Sequence, residues 1–154
     1  MTELPNQTMR NLPLEKLRKI AKGPYRPENP NAELGEALLA IRILADHAKI
    51  CPKAAKELLL VIQETDWLPT IEMALEELLK VADVDQLQRL ARYFFNLYYS
   101  PGEYGGGLVA PRRLKKVADR LEELGTPIYA CFPESQYRDL DYLIKKLASP
   151  AFVS

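Results

Sequence analysis

His47 and Cys51 stand four residues apart, the spacing that places two side chains on one face of a helix, and imidazole and thiolate both ligate zinc. A closed zinc site needs four ligands. The remaining protein donors here are Cys131 and a carboxylate such as Asp46, a mixed set at no diagnostic spacing, and Pro52 breaks the helix beside Cys51. The residues therefore point to a helix-end histidine and to no metal. Cysteine nucleophilic chemistry is equally unsupported: neither cysteine sits in an activation motif, and Cys131, between Ala130 and Phe132, reads as a small apolar position. The carboxylate pairs Glu76–Glu77 and Glu122–Glu123 lie on strongly amphipathic stretches and read as solvated faces rather than acid–base machinery. No catalytic residue is assigned, and the expectation is a protein that is not an enzyme.

A stronger candidate is SPGEYGGGLVAPRRLKK, residues 100–116, which holds four of the seven glycines. It lacks the GK[ST] ending that supplies a lysine and a hydroxyl to a bound nucleotide, so a P-loop and a nucleotide cofactor are excluded. Gly105, Gly106 and Gly107 nevertheless lead into a proline-headed helix whose first turn carries Arg112 and Arg113, followed by Lys115 and Lys116. Free N–H groups and cations at a helix start favour an acidic partner or a phosphate backbone. Immediately before the glycines, Tyr93, Phe94, Phe95, Tyr98, Tyr99 and Tyr104 fall within twelve residues. Phe94 and Tyr98 follow the inward stripe, whereas Tyr93 and Tyr99 point elsewhere. Tyrosine suits interfaces because it offers a large area at low entropy cost with a polar tip, and it also stacks on unpaired bases. The partner-binding residues expected are thus Tyr93, Tyr99, Tyr104, Arg112, Arg113, Lys115 and Lys116.

Charge is segregated, although Lys plus Arg and Asp plus Glu both total 21 and the net charge is zero. Six basic residues and one acid lie between Arg10 and Arg26, and five basic residues and one acid between Arg112 and Arg120. Seven acids and one lysine lie between Glu64 and Asp85. Such an arrangement suits contact with a protein partner or between copies of the chain. It also suits a subunit steadying a nucleic-acid backbone inside a larger assembly, although a free-standing nucleic-acid binder would carry net positive charge. Small helical subunits of RNA-guided effector complexes are an example of the second design, an analogy of fold that rests on no motif. The function expected is a small helical subunit or adaptor acting by protein–protein binding, with the nucleic-acid-contacting subunit as the alternative.

The elements that must position these residues are all helical. Of twelve prolines, Pro13, Pro30, Pro52, Pro69, Pro111 and Pro133 each head a stretch of helical periodicity, where a missing N–H costs least. DVDQ at 83–86 is a capping-box start, and Gly23 and Gly125 sit where helices end. Seven helices follow, at about 13–22, 31–50, 52–65, 69–82, 84–99, 111–124 and 134–148, with PIYACF (127–132) as a tucked connector. Stripes are formed by Leu87, Leu90, Ala91, Phe94 and Leu97, by Leu114, Val117, Ala118 and Leu121, and by Tyr137, Leu140, Leu143, Ile144 and Leu147. The run LLLVI (58–62) is apolar on nearly every face, since Leu59, Leu60 and Ile62 cannot share one narrow stripe, and it belongs at the centre of the bundle.

At 154 residues, 47% of them hydrophobic and 27% charged, the chain can bury a core without metals or disulfides. The fold expected is all-α: residues 1–30 as a basic helix with a proline-rich linker (GPYRPENPN), and 31–154 as one compact helical bundle domain. Two cysteines, no apolar core of signal-peptide length near the N-terminus and no long apolar run make a cytoplasmic, membrane-free protein the expectation.

Overall fold

The computed structural model describes residues 9–22, 34–65, 68–99 and 109–148. The helices are α1 (Leu14–Ala21), α2 (Leu34–Ala48), α3 (Pro52–Glu64), α4 (Leu68–Val81), α5 (Val84–Tyr99) and α6 (Ala110–Glu123). Short 3₁₀ turns at Ile128–Cys131 and Glu134–Gln136 then lead into α7 (Tyr137–Asp141), which continues as a π-helical segment, Tyr142–Leu147. The protein is an all-α bundle, with no strand among the described residues. No helix among them is long and apolar enough to cross a membrane.

Local chemistry sets the helix ends. Pro52 occupies the first turn of α3 after an extended Cys51, and Pro111 the first turn of α6. At the start of α5 the capping box closes in both directions: the Gln86 N–H donates to Asp83 Oδ1 at 2.8 Å, and the Asp83 N–H donates to Gln86 Oε1 at 3.0 Å. α6 stops at Gly125, whose φ of 84° is the left-handed conformation. The Thr126 N–H reaches back to the Leu121 carbonyl at 3.0 Å and the Gly125 N–H to that of Glu122 at 2.9 Å, a paired closure that satisfies carbonyls the helix leaves open. Gly23 and the linker 23–31 lie outside the described residues.

The chain forms two compact units, Met1–Ala82 and Asp83–Ser154. The division falls where α4 ends and the capping box starts a new helix. The first helix is no appendage. α1 packs on both α2 and α3, with Leu17 and Ala21 fully buried. In the first unit α3 packs against α1, α2 and α4, as its all-round apolar character requires. Leu58, Leu59, Val61 and Ile62 are buried, whereas Leu60 is only half-buried. α2 shares the central position, touching the same three-sided surroundings of α1, α3 and α4 and burying Ile41, Ile43 and Leu44 completely.

In the second unit α5 and α6 form the principal pair, and the π-helical segment packs on α6. Leu87, Leu90, Ala91 and Phe94 of α5 and Leu114, Val117, Ala118 and Leu121 of α6 are buried along the stripes read from the sequence. The connector 127–132 is a 3₁₀ turn that tucks Ile128 and Phe132 inward. Phe132 lies 4.9 Å, centroid to centroid, from Phe95 and buries it. Phe95, rather than Tyr98, thereby becomes the second inward aromatic of α5.

Candidate functional site

The candidate surface is built from α5 upward. Helical periodicity buries Phe94 and Phe95, so the tyrosines on either side of them are displaced toward solvent to different extents. Tyr93 is half-buried, its ring 5.4 Å from that of Phe94. Burial pushes its phenol above the ordinary value, and the nearby Arg113 guanidinium offsets part of that rise. Tyr98 is half-buried and Tyr99 is 45% exposed. Their rings meet edge to face at 5.0 Å and 88°, and Tyr99 also lies 5.0 Å from Phe95.

Tyr142, the first residue of the π-helical segment, is 50% exposed and lies within electrostatic reach of Tyr99. Burial pushes the Tyr99 phenol up, and the Asp139 carboxylate and the phenols of Tyr98 and Tyr142 add to that rise by disfavouring another negative charge. Asp139 is exposed and makes no ion pair with any described residue. Tyr98 and Tyr99 thus form an edge-to-face pair, with Tyr99 against Phe95 and Phe95 against Phe132. Sequence reasoning singled out Tyr99 but missed Tyr142 and Asp139. The available signal was Tyr142 falling outside the stripe of Leu140, Leu143, Ile144 and Leu147.

The basic half of the expected site divides. Arg112 and Lys116 are exposed and make no ion pair with another described residue. Lys115 is committed to Asp119 one turn on, at 3.1 Å. Arg113 is 3% exposed, which corrects the expectation that it faces a partner. The helix face bearing Leu114, Val117 and Leu121 also draws in Pro111 and Arg113, and this guanidinium sits near Tyr93 inside the α5–α6 pair. Tyr104 and the glycines 105–107 lie outside the described residues.

Part of the N-terminal basic run is engaged within the fold. Arg18 Nη1 donates to Glu64 Oε1 at 2.6 Å, and its Nε approaches Glu57 Oε2 at 2.6 Å as an ion-pair contact without directional hydrogen-bond geometry. Lys22 reaches the same Glu64 carboxylate at 3.2 Å, and Arg10 pairs with Asp46 at 2.9 Å. Thr65 adds a hydrogen bond from Oγ1 to the Lys22 carbonyl at 2.8 Å. The Arg18, Lys22 and Thr65 contacts bind α1 to α3, and Arg10 ties the segment before α1 to α2, so these three cations are engaged within the fold.

His47 sits in the last turn of α2, with Nε2 3.3 Å from the Arg10 carbonyl oxygen, and its own carbonyl accepts from the Cys51 N–H at 2.8 Å. Cys51 is the extended residue between α2 and α3. Cys131 donates its S–H to the Ile128 carbonyl at 3.3 Å, and burial pushes the thiol up. Among the described residues, no group of three or more His, Cys, Asp or Glu side chains is arranged to hold a metal ion. Comparisons with protein-family models, curated proteins and solved structures gave no match.

Proposed function

We propose that this protein is a non-enzymatic helical subunit or adaptor that works by protein–protein binding, and that Tyr98, Tyr99 and Tyr142 are its contact residues. The observation that carries this reading is the half exposure of Tyr99, whose ring packs on the buried Phe95 and through it on Phe132, together with the 50% exposure of a second large ring, Tyr142. An exposed tyrosine anchored on a buried ring is rigid, desolvates readily and has the composition of an interaction hot spot. Arg112 and Lys116 supply exposed cations on the adjacent helix, suited to steering an acidic partner surface.

The nucleic-acid alternative loses support from the ion pairs of Arg10, Arg18 and Lys22, which commit three of its expected phosphate contacts to carboxylates. Affinity capture with the full chain as bait tests the proposal, comparing the unaltered protein with Tyr99→Ala, Tyr142→Ala and, as a control on another exposed apolar side chain, Leu124→Ala. One protein retained by the unaltered chain and by Leu124→Ala but lost by both tyrosine variants is the expected result. Equal retention by all four removes the tyrosines from the proposal. Salt-dependent binding to single- or double-stranded oligonucleotides, weakened by Arg112→Glu, would favour the alternative.

A further inference from the structure

The turn between α2 and α3 presents an apolar side chain among cations. It belongs to the first unit of the chain, whereas Tyr99 and Tyr142 belong to the second. Ile50 is 87% exposed, the highest value for a large hydrophobic side chain among the described residues. Its place is fixed by the backbone. The Ile50 and Cys51 N–H groups both donate to the His47 carbonyl, at 3.1 and 2.8 Å, and Pro52 then starts α3. A single exposed aliphatic residue is common on protein surfaces; the charges beside this one give it meaning.

Cations flank Ile50 on both sides of the turn. Lys49 precedes it and approaches Asp46 at 3.6 Å. Arg10, from the segment before α1, reaches the same carboxylate at 2.9 Å, and its carbonyl oxygen lies 3.3 Å from His47 Nε2. Lys53 stands in the first turn of α3, three residues after Ile50, and Lys56 lies one turn further on. Both are exposed and make no ion pair with another described residue. Lys49 remains 68% exposed within its pair. One carboxylate thus stands against four cations around an isoleucine held in water.

This combination selects its occupant. A side chain open on nearly every side gains burial against a rigid protein only where that protein supplies a matching pocket. A nucleic-acid backbone would meet the lysines and leave Ile50 in water. The boundary between headgroups and acyl chains is fluid and closes round an inserted side chain without a preformed pocket. Anionic headgroups also attract the lysines beside it, whose aliphatic stems tolerate the interface.

We propose that the α2–α3 turn is a peripheral contact with an anionic lipid bilayer, into whose interface Ile50 inserts while Lys49, Lys53 and Lys56 engage the headgroups. This goes beyond the adaptor reading and does not rest on it. It departs from the membrane-free expectation, which was drawn from the lack of long apolar segments, because a peripheral contact requires none.

The test mixes the full chain with vesicles of phosphatidylcholine and phosphatidylserine, or of phosphatidylcholine alone, and measures the bound fraction by co-sedimentation at low and high salt. Binding to the anionic vesicles that weakens with salt, and none to the neutral ones, is expected. Lys53→Gln and Lys56→Gln should each weaken it about fivefold, the weight of one cation at an anionic surface. Ile50→Ser should weaken it about tenfold, because the inserted apolar surface is lost. Ile50→Trp should still bind, and its emission, after subtraction of the spectrum of the unaltered protein, should shift to the blue on anionic vesicles. The three positions are exposed, so the variants should fold, and their urea midpoints check that they do.

Failure of the unaltered protein to bind anionic vesicles at low salt would overturn the proposal. Equal binding by Ile50→Ser, or an unshifted Ile50→Trp spectrum, would overturn it by reducing the contact to charge alone. An oligonucleotide bound equally by the unaltered protein and Ile50→Ser, with vesicles left unbound, would overturn it in favour of a phosphate backbone. A protein captured by the unaltered chain and lost by Ile50→Ser, again with vesicles unbound, would overturn it in favour of a partner that carries a pocket for isoleucine.

Discussion

Replacing Arg18 by Met should destabilise the first helical unit by about 2 kcal/mol. Arg18 holds two carboxylates at 2.6 Å, Glu57 and Glu64, and its side chain and that of Glu57 are each only 18% exposed. Fully exposed ion pairs contribute about 0–1 kcal/mol, whereas removing one partner of a buried pair costs about 3–5 kcal/mol because a charge is stranded. Arg18 lies between these limits. Methionine retains most of the aliphatic stem, so packing on α3 survives and the loss isolates the charge contacts. Lys22 still neutralises part of Glu64, which holds the estimate below the buried limit. With a urea dependence of about 1–3 kcal/mol per molar, the unfolding midpoint should fall by roughly 0.7–2 M.

The sign of its pH dependence provides a second check. Partial burial pushes the Glu64 carboxyl up, but hydrogen bonds and charge from Lys22 and Arg18 outweigh it and hold the folded-state value below the ordinary 4.5. Glu64 therefore contributes stability that is present above that ordinary value and is lost as pH falls through the folded one. Asp46, held low chiefly by its hydrogen bond from Arg10, behaves the same way. The midpoints of Arg18→Met and the unaltered protein should converge as the medium is acidified below about pH 4.5. A midpoint moved by less than about 0.3 M at neutral pH would refute the structural role of Arg18. It would also return the N-terminal cations to the pool available for a nucleic acid.

Other substitutions should separate what is buried from what is presented. Leu58→Ala should cost about 2.7–5 kcal/mol by urea denaturation, and Leu60→Ala distinctly less, because Leu58 is fully buried and Leu60 only half-buried. Equal costs would contradict that facing. Arg112→Glu should shift stability by less than about 0.5 kcal/mol, whereas Arg113→Glu should cost about 3 kcal/mol or more, since it reverses a buried charge. If both reversals are neutral, Arg113 is not packed inside the α5–α6 pair. Cys131 should react with iodoacetamide at pH 8 more slowly than free cysteine, because burial raises its thiol and the side chain is only partly accessible. A rate equal to that of free cysteine would show an open site.

What the sequence made legible was local. The capping box at Asp83, the left-handed Gly125, the proline-headed starts and the α6 stripe each depend on residues within a few positions of one another. Such signals survive in a linear reading because the physics that sets them acts within one or two turns. The charge runs misled for the complementary reason. Arg18 and Glu64 are 46 residues apart, and nothing in either neighbourhood records that they meet. A basic run and an acidic run were therefore read as two surfaces, although their inner members neutralise each other across the α1–α3 contact.

The candidate site divides along the same line. Tyr99 was visible because α5 holds more aromatic rings than one buried stripe can take, an excess that periodicity alone exposes. Tyr142 is exposed on another element, and the π-helical register that starts there breaks the periodicity by which a sequence assigns faces. Arg113 shows the converse error. Its type and its place beside Arg112 suggest solvent, yet the stripe of Leu114, Val117 and Leu121 carries it inward with Pro111. Position on the helix decided its environment, and charge did not. The environment of Arg113 becomes readable only after the pairing of α5 with α6 is known, because that pairing decides which face of α6 turns inward.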